Sequence, residues 1–210
     1  MKQVSERQLE RFPIYLKYLL SMRDSGFKTI SSPVIANALS FSEEQVRKDL
    51  QVVSSNNGKP KLGRDINEII EDIKAFLHYD NPTKAAVVGV GHLGKALMNY
   101  KGFNDFGLDI VCGFDIDSNL VGSQVNGKDI YSVYQLSNKI DELGLEIAIL
   151  AVPLSAAQDN ADRLVNAGIK GIWNFVPVHL NVGDDVVIEN INMASSFAIL
   201  QHKLSNKEKN

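Results

Sequence analysis

The 210 residues predict an α/β chain in which a small helical domain with a hairpin precedes a doubly wound parallel sheet and one last helix. Three observations carry that prediction. The stretch Ala85 to Gly94 is a short apolar run followed by glycines at 89, 91 and 94, the spacing G-x-G-x-x-G. From Lys84 onward, strand and helix patterns alternate. Before residue 80 the apolar residues recur at helical spacing, and a turn-rich basic segment interrupts them.

The glycines have a physical job at that spacing. Gly89 permits a tight turn, Gly91 lets the backbone approach a pyrophosphate, and Gly94 lets the following helix pack against the strand. The helix N-terminus then faces the phosphates. A second strand, Leu108 to Phe114, ends at Asp115, 21 residues past Gly94, where an acid for ribose hydroxyls is expected. An α/β turn that binds nothing, or one that binds another nucleotide such as coenzyme A, satisfies the same spacing. Asp115 and Asp117 can equally be turn residues at a strand end.

Composition sets the outer limits. At 44% hydrophobic and 22% charged, with a net charge of −3, the chain is ordinary for a globular protein of one or two domains. No global basic field points to nucleic acid. Residues 1–80 carry 12 Lys and Arg against 11 Asp and Glu, whereas residues 81–210 carry 10 against 14, which supports a boundary near residue 80. The single cysteine, Cys112, falls in a strand pattern and reads as a small buried residue in a reducing compartment. The longest apolar run, Ile147 to Leu154, suits a buried strand and is far short of a membrane span. The expectation is a cytoplasmic protein with no membrane segment and no metal, since no Cys/His cluster has metal spacing.

Taken in order, Leu9, Phe12, Leu16, Leu19 and Leu20 mark a first helix that starts near Arg11 or Phe12, because Pro13 is tolerated only in a first turn. Ser25-Gly26 ends it. Ser32 reads as the cap of a short second helix with Pro33 at its first position, ending near Leu39-Ser40. Ser42-Glu43-Glu44-Gln45 is a capping box for a third helix, with Val46, Leu50 and Val53 on its inner face. Two helices, a short turn and a capped third helix are the layout of a helix-turn-helix. Its outer face offers Gln45, Arg47 and Lys48, groups able to read base edges, although a solvated helix face has the same composition. Residues 54–64 hold Lys59, Lys61 and Arg64 and no acid, with Asn57-Gly58 as a hairpin signal, so they read as a basic wing or else a flexible loop. Asp65 to Glu68 caps another helix with Ile69, Ile70, Ile73, Phe76 and Leu77 inward, and Tyr79 to Pro82 closes the domain.

In the second part the expected strands are Ala85–Gly89, Leu108–Phe114, Ile130-Tyr131, Glu146–Val152, Gly171–Phe175 and residues 185–190. Helices are expected from His92 to Tyr100, through Leu136 and Ile140, over Ser155–Ala167, and from Met193 to Leu204. The tail from Lys207 is expected to be disordered. The domains are thus 1–80, 81–190 and a terminal helix with its tail, 191–210.

With both halves in hand, the chain resembles the redox-sensing repressors of the Rex family from about Arg11 to residue 200. The motifs that carry the resemblance are Phe12-Pro13-x-Tyr15-Leu16-x-Tyr18-Leu19, Gln45-Val46-Arg47-Lys48-Asp49-Leu50, Gly89-Val90-Gly91-His92-Leu93-Gly94 and Phe114-Asp115-Ile116-Asp117. They continue with Ile147 to Pro153 and Gly171-Ile172-x-Asn174-Phe175-x-Pro177-Val178.

The resemblance implies a winged-helix DNA-binding domain joined to a Rossmann domain, in a homodimer whose C-terminal helices swap. It implies repression through a palindromic double-stranded operator that is released when NADH, rather than NAD+, is bound. Cofactor contacts would come from Gly89, Val90, Gly91, His92, Leu93, Gly94, Asp115, Ile116, Val152 and Pro153. DNA contacts would come from Ser42, Gln45, Arg47, Lys48, Lys59, Lys61 and Arg64, and coupling of the domains from Arg11, Asn192 and Met193. Two departures stand out. Where the family wing reads Gly-x-Gly-Tyr this chain has Leu62-Gly63-Arg64, and where the family has Asp before an apolar residue it has Asn192-Met193. They allow a second reading, a regulator of the same fold with a lost or altered NADH response or another nucleotide ligand. A small NAD-dependent oxidoreductase is the third. It lacks room for a substrate domain, and no Tyr is followed four residues later by Lys.

Overall fold

The computed structural model describes residues 4–54 and 63–207. The chain divides into two compact units, Met1–Asn81 with Asp105–Gly107, and Pro82–Asn104 with Leu108–Asn210. The terminal helix falls within the second of these units.

The first unit opens with a short helix α1 (Glu6–Leu9) that the sequence pattern did not mark, then α2 (Arg11–Asp24). Pro13 lies in the first turn of α2, where its missing N–H costs no helical bond. A two-residue strand β1 (Thr29–Ile30) precedes α3 (Ser32–Leu39). The cap of α3 is Ser31, not Ser32: of two consecutive serines the first holds the extended backbone and the second is already helical, with Pro33 still in the first turn. In α4 (Glu43–Val53) the Ser42 Oγ accepts from the Gln45 N–H at 3.2 Å, as the capping pattern requires. Strand β2 (Arg64–Asp65) pairs antiparallel with β1, Ile30 opposite Arg64. Asp65 caps α5 (Ile66–Phe76), accepting from Asn67 and Glu68. Phe12, Tyr15, Leu16, Leu19, Ile35, Val46, Leu50 and the isoleucines of α5 form one core. The Asn57-Gly58 hairpin signal, with Lys59 and Lys61, lies outside the described residues.

The second unit runs β3 (Thr83–Val88), α6 (His92–Asn99), β4 (Leu108–Asp115), β5 (Gln124–Val125), β6 (Lys128–Ser132) and α7 (Leu136–Leu143). It continues with β7 (Ile147–Leu150), α8 (Ala157–Asn166), β8 (Gly171–Asn174), β9 (Val187–Asn190) and α9 (Met193–Lys207). The sheet order is β5-β6-β4-β3-β7-β8-β9. All neighbours are parallel except the β5–β6 hairpin. Counted from β3, the parallel strands follow the order 3-2-1-4-5-6 of the doubly wound nucleotide fold.

The two-residue period of a strand divides β3 between two cores: Ala86 and Val88 pack on one face of the sheet, Ala85 and Val87 on the other. The hairpin turns at Asn126-Gly127, both at positive φ, a signal present in the sequence beside the expected Ile130-Tyr131 strand. Strand β7 is shorter than the apolar run because Ala151 to Pro153 leave the sheet to edge a cleft. Helix α9 includes Lys207 and so reaches further than the sequence suggests. None of its residues is buried, and Phe197, Leu200 and Leu204 are more than half exposed.

Candidate functional site

The order of the strands reverses between β3 and β7, and the segments that follow these two strands diverge there. A cleft of about 440 Å³ opens at that point. Six residues expected on cofactor grounds line it together: Gly89, Gly91, Asp115, Ile116, Val152 and Pro153. The other four do not line it. Val90 is fully buried beneath the loop, Gly94 is buried at the helix–loop contact, and His92 and Leu93 are exposed on the first turn of α6.

The loop is shaped by contacts that only glycine permits. Gly89 sits at φ +92°, and a Cβ there would lie 2.5 Å from the Ala151 carbonyl oxygen. A Cβ on Gly94 would run into the Gly89 carbonyl oxygen, so the helix lies directly on the turn. Gly91 differs, since a Cβ there meets nothing within 4 Å. Its lack of a side chain leaves the mouth of the loop open, which is what a closely approaching phosphate needs. Gly91 is also the N-cap of α6 and has no side chain to occupy the first-turn N–H groups. These groups and the helix dipole favour an anion.

Asp115 ties the second strand to this loop. Its Oδ2 accepts from the Val90 N–H at 2.6 Å and its Oδ1 from the Asp117 N–H at 2.9 Å. Each carboxylate oxygen keeps a second acceptor position, enough for the two hydroxyls of a ribose. Tyr134 and Arg163 also line this cleft, and nothing in the sequence pattern marks either of them.

In the first unit, α4 presents Arg47 and Lys48 to solvent, whereas Gln45 is half-buried. Lys48 Nζ lies 2.7 Å from Glu44, an exposed pair one helical turn apart; the hydrogen bond from Lys48 lowers the Glu44 carboxyl below its ordinary range. Arg64 stands in β2 and its Nη1 donates to the Leu50 carbonyl in the last turn of α4 at 3.5 Å, which ties β2 to that helix. Buried on the inner face of α4 is Asp49, 1% exposed. It accepts from Arg11 Nε at 2.6 Å and Nη2 at 2.8 Å, from the Tyr15 hydroxyl at 2.8 Å and from Gln8 Nε2 at 3.1 Å. Arg11 also donates to the Arg7 carbonyl. Burial pulls the Asp49 carboxyl upward, but these hydrogen bonds and the Arg11 charge outweigh it and hold it below its ordinary range. The hydrogen bond to Asp49 raises the Arg11 guanidinium. Asn192, the other expected coupling residue, caps α9 by accepting from the Ser195 N–H at 2.9 Å, and Met193 beside it is 60% exposed. No group of His, Cys, Asp and Glu able to hold a metal ion occurs among the described residues.

Known proteins are similar to this chain over nearly its full length. A redox-sensing transcriptional repressor Rex from Bacteroides thetaiotaomicron is 35% identical over 98% of this chain and 93% of its own length. One from Treponema denticola is 37% identical over 95% of both. The chain belongs to the Rex family. The crystal structure of RSP, a Rex-family repressor, in complex with β-NAD+ and operator DNA superposes with a TM-score of 0.89 at 32% identity, covering 99% of this chain and 95% of that one. RSP with β-NADH gives 0.87 at 31% identity, covering 99% and 97%. Two family models fit in tandem, "Putative DNA-binding protein N-terminus" over residues 3–51 and "CoA binding domain" over residues 80–178. The second bears the name of coenzyme A, whereas the full-length Rex relatives are redox sensors. Membership of Rex places the chain among transcriptional repressors instead of dehydrogenases.

Proposed function

We propose that this Rex-family chain is a DNA-binding transcriptional repressor that reads the ratio of NADH to NAD+ and leaves its operator when NADH binds. The carrying observation is the union in one chain of a capped α4 bearing Arg47 and Lys48 with an open glycine turn closed from behind by Asp115. Gly91 and the first turn of α6 would take the pyrophosphate, Asp115 the adenine ribose, and Val152 and Pro153 the far wall. Asp115 would also repel a 2′-phosphate, which favours NAD over NADP. Ser42, Gln45, Arg47 and Lys48 would meet DNA from α4, with Lys59, Lys61 and Arg64 serving the wing.

The protein acts as a homodimer in the cytoplasm on a palindromic operator. Helix α9 supports the dimer: an amphipathic helix that buries none of its residues in its own fold, with Met193, Phe197, Leu200 and Leu204 exposed, calls for a partner surface. Among the described residues no helix is long and apolar enough to cross a membrane. For the cofactor to act as a switch it must bind the DNA-free arrangement better than the DNA-bound one. Coupling of ~1–3 kcal/mol corresponds to about a 5- to 150-fold change in operator affinity.

A second reading, an altered NADH response, is favoured by two engagements. Arg64, in the place of the family tyrosine, is fastened to the end of α4, and Asn192, in the place of the family aspartate, is occupied in capping α9. Anisotropy of a fluorescent palindromic operator, titrated with NADH and with NAD+, decides between the readings. Release by NADH alone establishes the switch; tight binding indifferent to both dinucleotides establishes a repressor whose coupling has moved elsewhere.

A further inference from the structure

Resting on the dinucleotide reading above, we propose that Tyr134 and Arg163 form a clamp over the adenine base and that the pair sets how tightly the cofactor is held. Both line the cleft. The Arg163 guanidinium lies over the Tyr134 ring at 5.5 Å, within cation–π range. Neither side chain is buried in its own fold. Tyr134 is 71% exposed, and Arg163 projects from the solvent side of α8 while Ala161 and Leu164 hold the helix to the core.

The choice of partner by Arg163 is informative. Asp159 stands one helical turn earlier on α8, with the acid N-terminal to the base, the spacing at which such residues ordinarily form an ion pair. Among the described residues no ion pair of Arg163 forms, and the cation lies instead over the ring. Arg163 is also the sole cation among the residues lining the cleft, which include three acids. The supports beneath the pair are fixed. The Ser132 Oγ accepts from the Tyr134 N–H at 3.3 Å and Gln135 returns a bond to Ser132, which pins the turn that carries the tyrosine. Ile116, directly after the ribose-side Asp115, lines the same cleft and is 72% exposed. A flat base placed between Ile116 and the Tyr134–Arg163 pair would cover apolar surface on one side and stack on a π-face and a guanidinium plane on the other. A purine has the right shape and polarity for that slot.

The test is the affinity of the full-length protein for NADH, followed by fluorescence, with displacement by ADP-ribose, which carries the adenine half without nicotinamide. Tyr134→Ala and Arg163→Ala should each raise Kd about tenfold for both ligands, whereas Tyr134→Phe should bind as the parent does. The double variant should lose less than the product of the two single losses, because the pair acts as one surface. Both residues are exposed, so the melting temperature should not move. Parent-like binding by Tyr134→Ala overturns the clamp and leaves the NADH reading intact. Loss in Arg163→Ala with none in Tyr134→Ala overturns it in favour of simple charge attraction to the phosphates. Failure of the parent itself to bind NADH overturns the dinucleotide reading and the clamp together.

Discussion

Arg11 and Asp49 join the start of α2 to the middle of α4 through a bidentate pair, Nε to Oδ2 at 2.6 Å and Nη2 to Oδ1 at 2.8 Å. With Tyr15 and Gln8 on the same carboxylate, this pair fixes how the helix that carries Arg47 and Lys48 is presented. Breaking a buried pair by removing one partner costs about 3–5 kcal/mol. Arg11 keeps the Arg7 carbonyl and some contact with water, so Asp49→Ala should cost about 3 kcal/mol, the lower end of that range. Denaturant unfolding of the first unit measures it. Operator affinity should fall with it, while NADH affinity, which belongs to the second unit, should hold.

The same cluster sets a pH profile. Asp49 is held below its ordinary value, so its contribution is present above about pH 4 and is lost as pH falls through the lowered value. Tyr15 is raised, first by burial and then by the Asp49 carboxylate. Its contribution is full below the ordinary phenol value near 10 and is lost as pH rises beyond it. Stability of the first unit should therefore be flat from about pH 5 to pH 9 and fall on both sides. Asp49→Asn should flatten the acid limb.

The glycines of the turn should separate folding from binding. Gly94→Ala places a methyl group against the Gly89 carbonyl and should destabilise the second unit as well as abolish NADH binding. Gly91→Ala meets nothing in the free protein, so the melting temperature should stay within a degree or two while NADH affinity falls about tenfold or more. A Gly91→Ala protein that binds NADH normally would remove the pyrophosphate from this turn.

Asp115→Asn tests the ribose assignment. The amide has one oxygen where the carboxylate has two, so it cannot serve the Val90 and Asp117 N–H groups and a ribose equally well. NADH affinity should drop about tenfold, and the preference for NADH over NADPH should narrow because the charge facing the 2′-position is gone. Competition between the two dinucleotides reads both effects at once.

Asn192 can be altered without losing its local job. Asn192→Ala removes the cap of α9 and should cost that helix about 1 kcal/mol. Asn192→Asp keeps the cap and adds a charge that the helix N-terminus favours. If the neutral amide is what weakens the redox response, Asn192→Asp should steepen NADH-dependent operator release in the anisotropy titration.

Local chemistry decided what could be read from the sequence. The glycine spacing, Asp115 at a strand end and the Asp65 cap each depend on neighbours within a few residues or on one strand–helix step, and each was legible. Strand β1 was not, since two residues carry no alternation and exist as a strand only because Arg64-Asp65 lies beside them. Asp49 was missed as a buried charge, although a signal for it was present. It stands three residues after Val46 and four before Val53, on the inner face, and a charge there signals a partner even though its identity depends on how α1 and α2 pack. Tyr134 and Arg163 come from different strand–helix units and meet only in three dimensions.

The bare face of α9 has a thermodynamic consequence. A lone helix of 15 residues is marginal in water, and this one draws no support from either core of its own unit. Its helicity must then rise and fall with whatever covers it, so the ellipticity contributed by these residues should depend on protein concentration while the two cores melt independently of it. Dilution becomes a selective denaturant of the chain's last element.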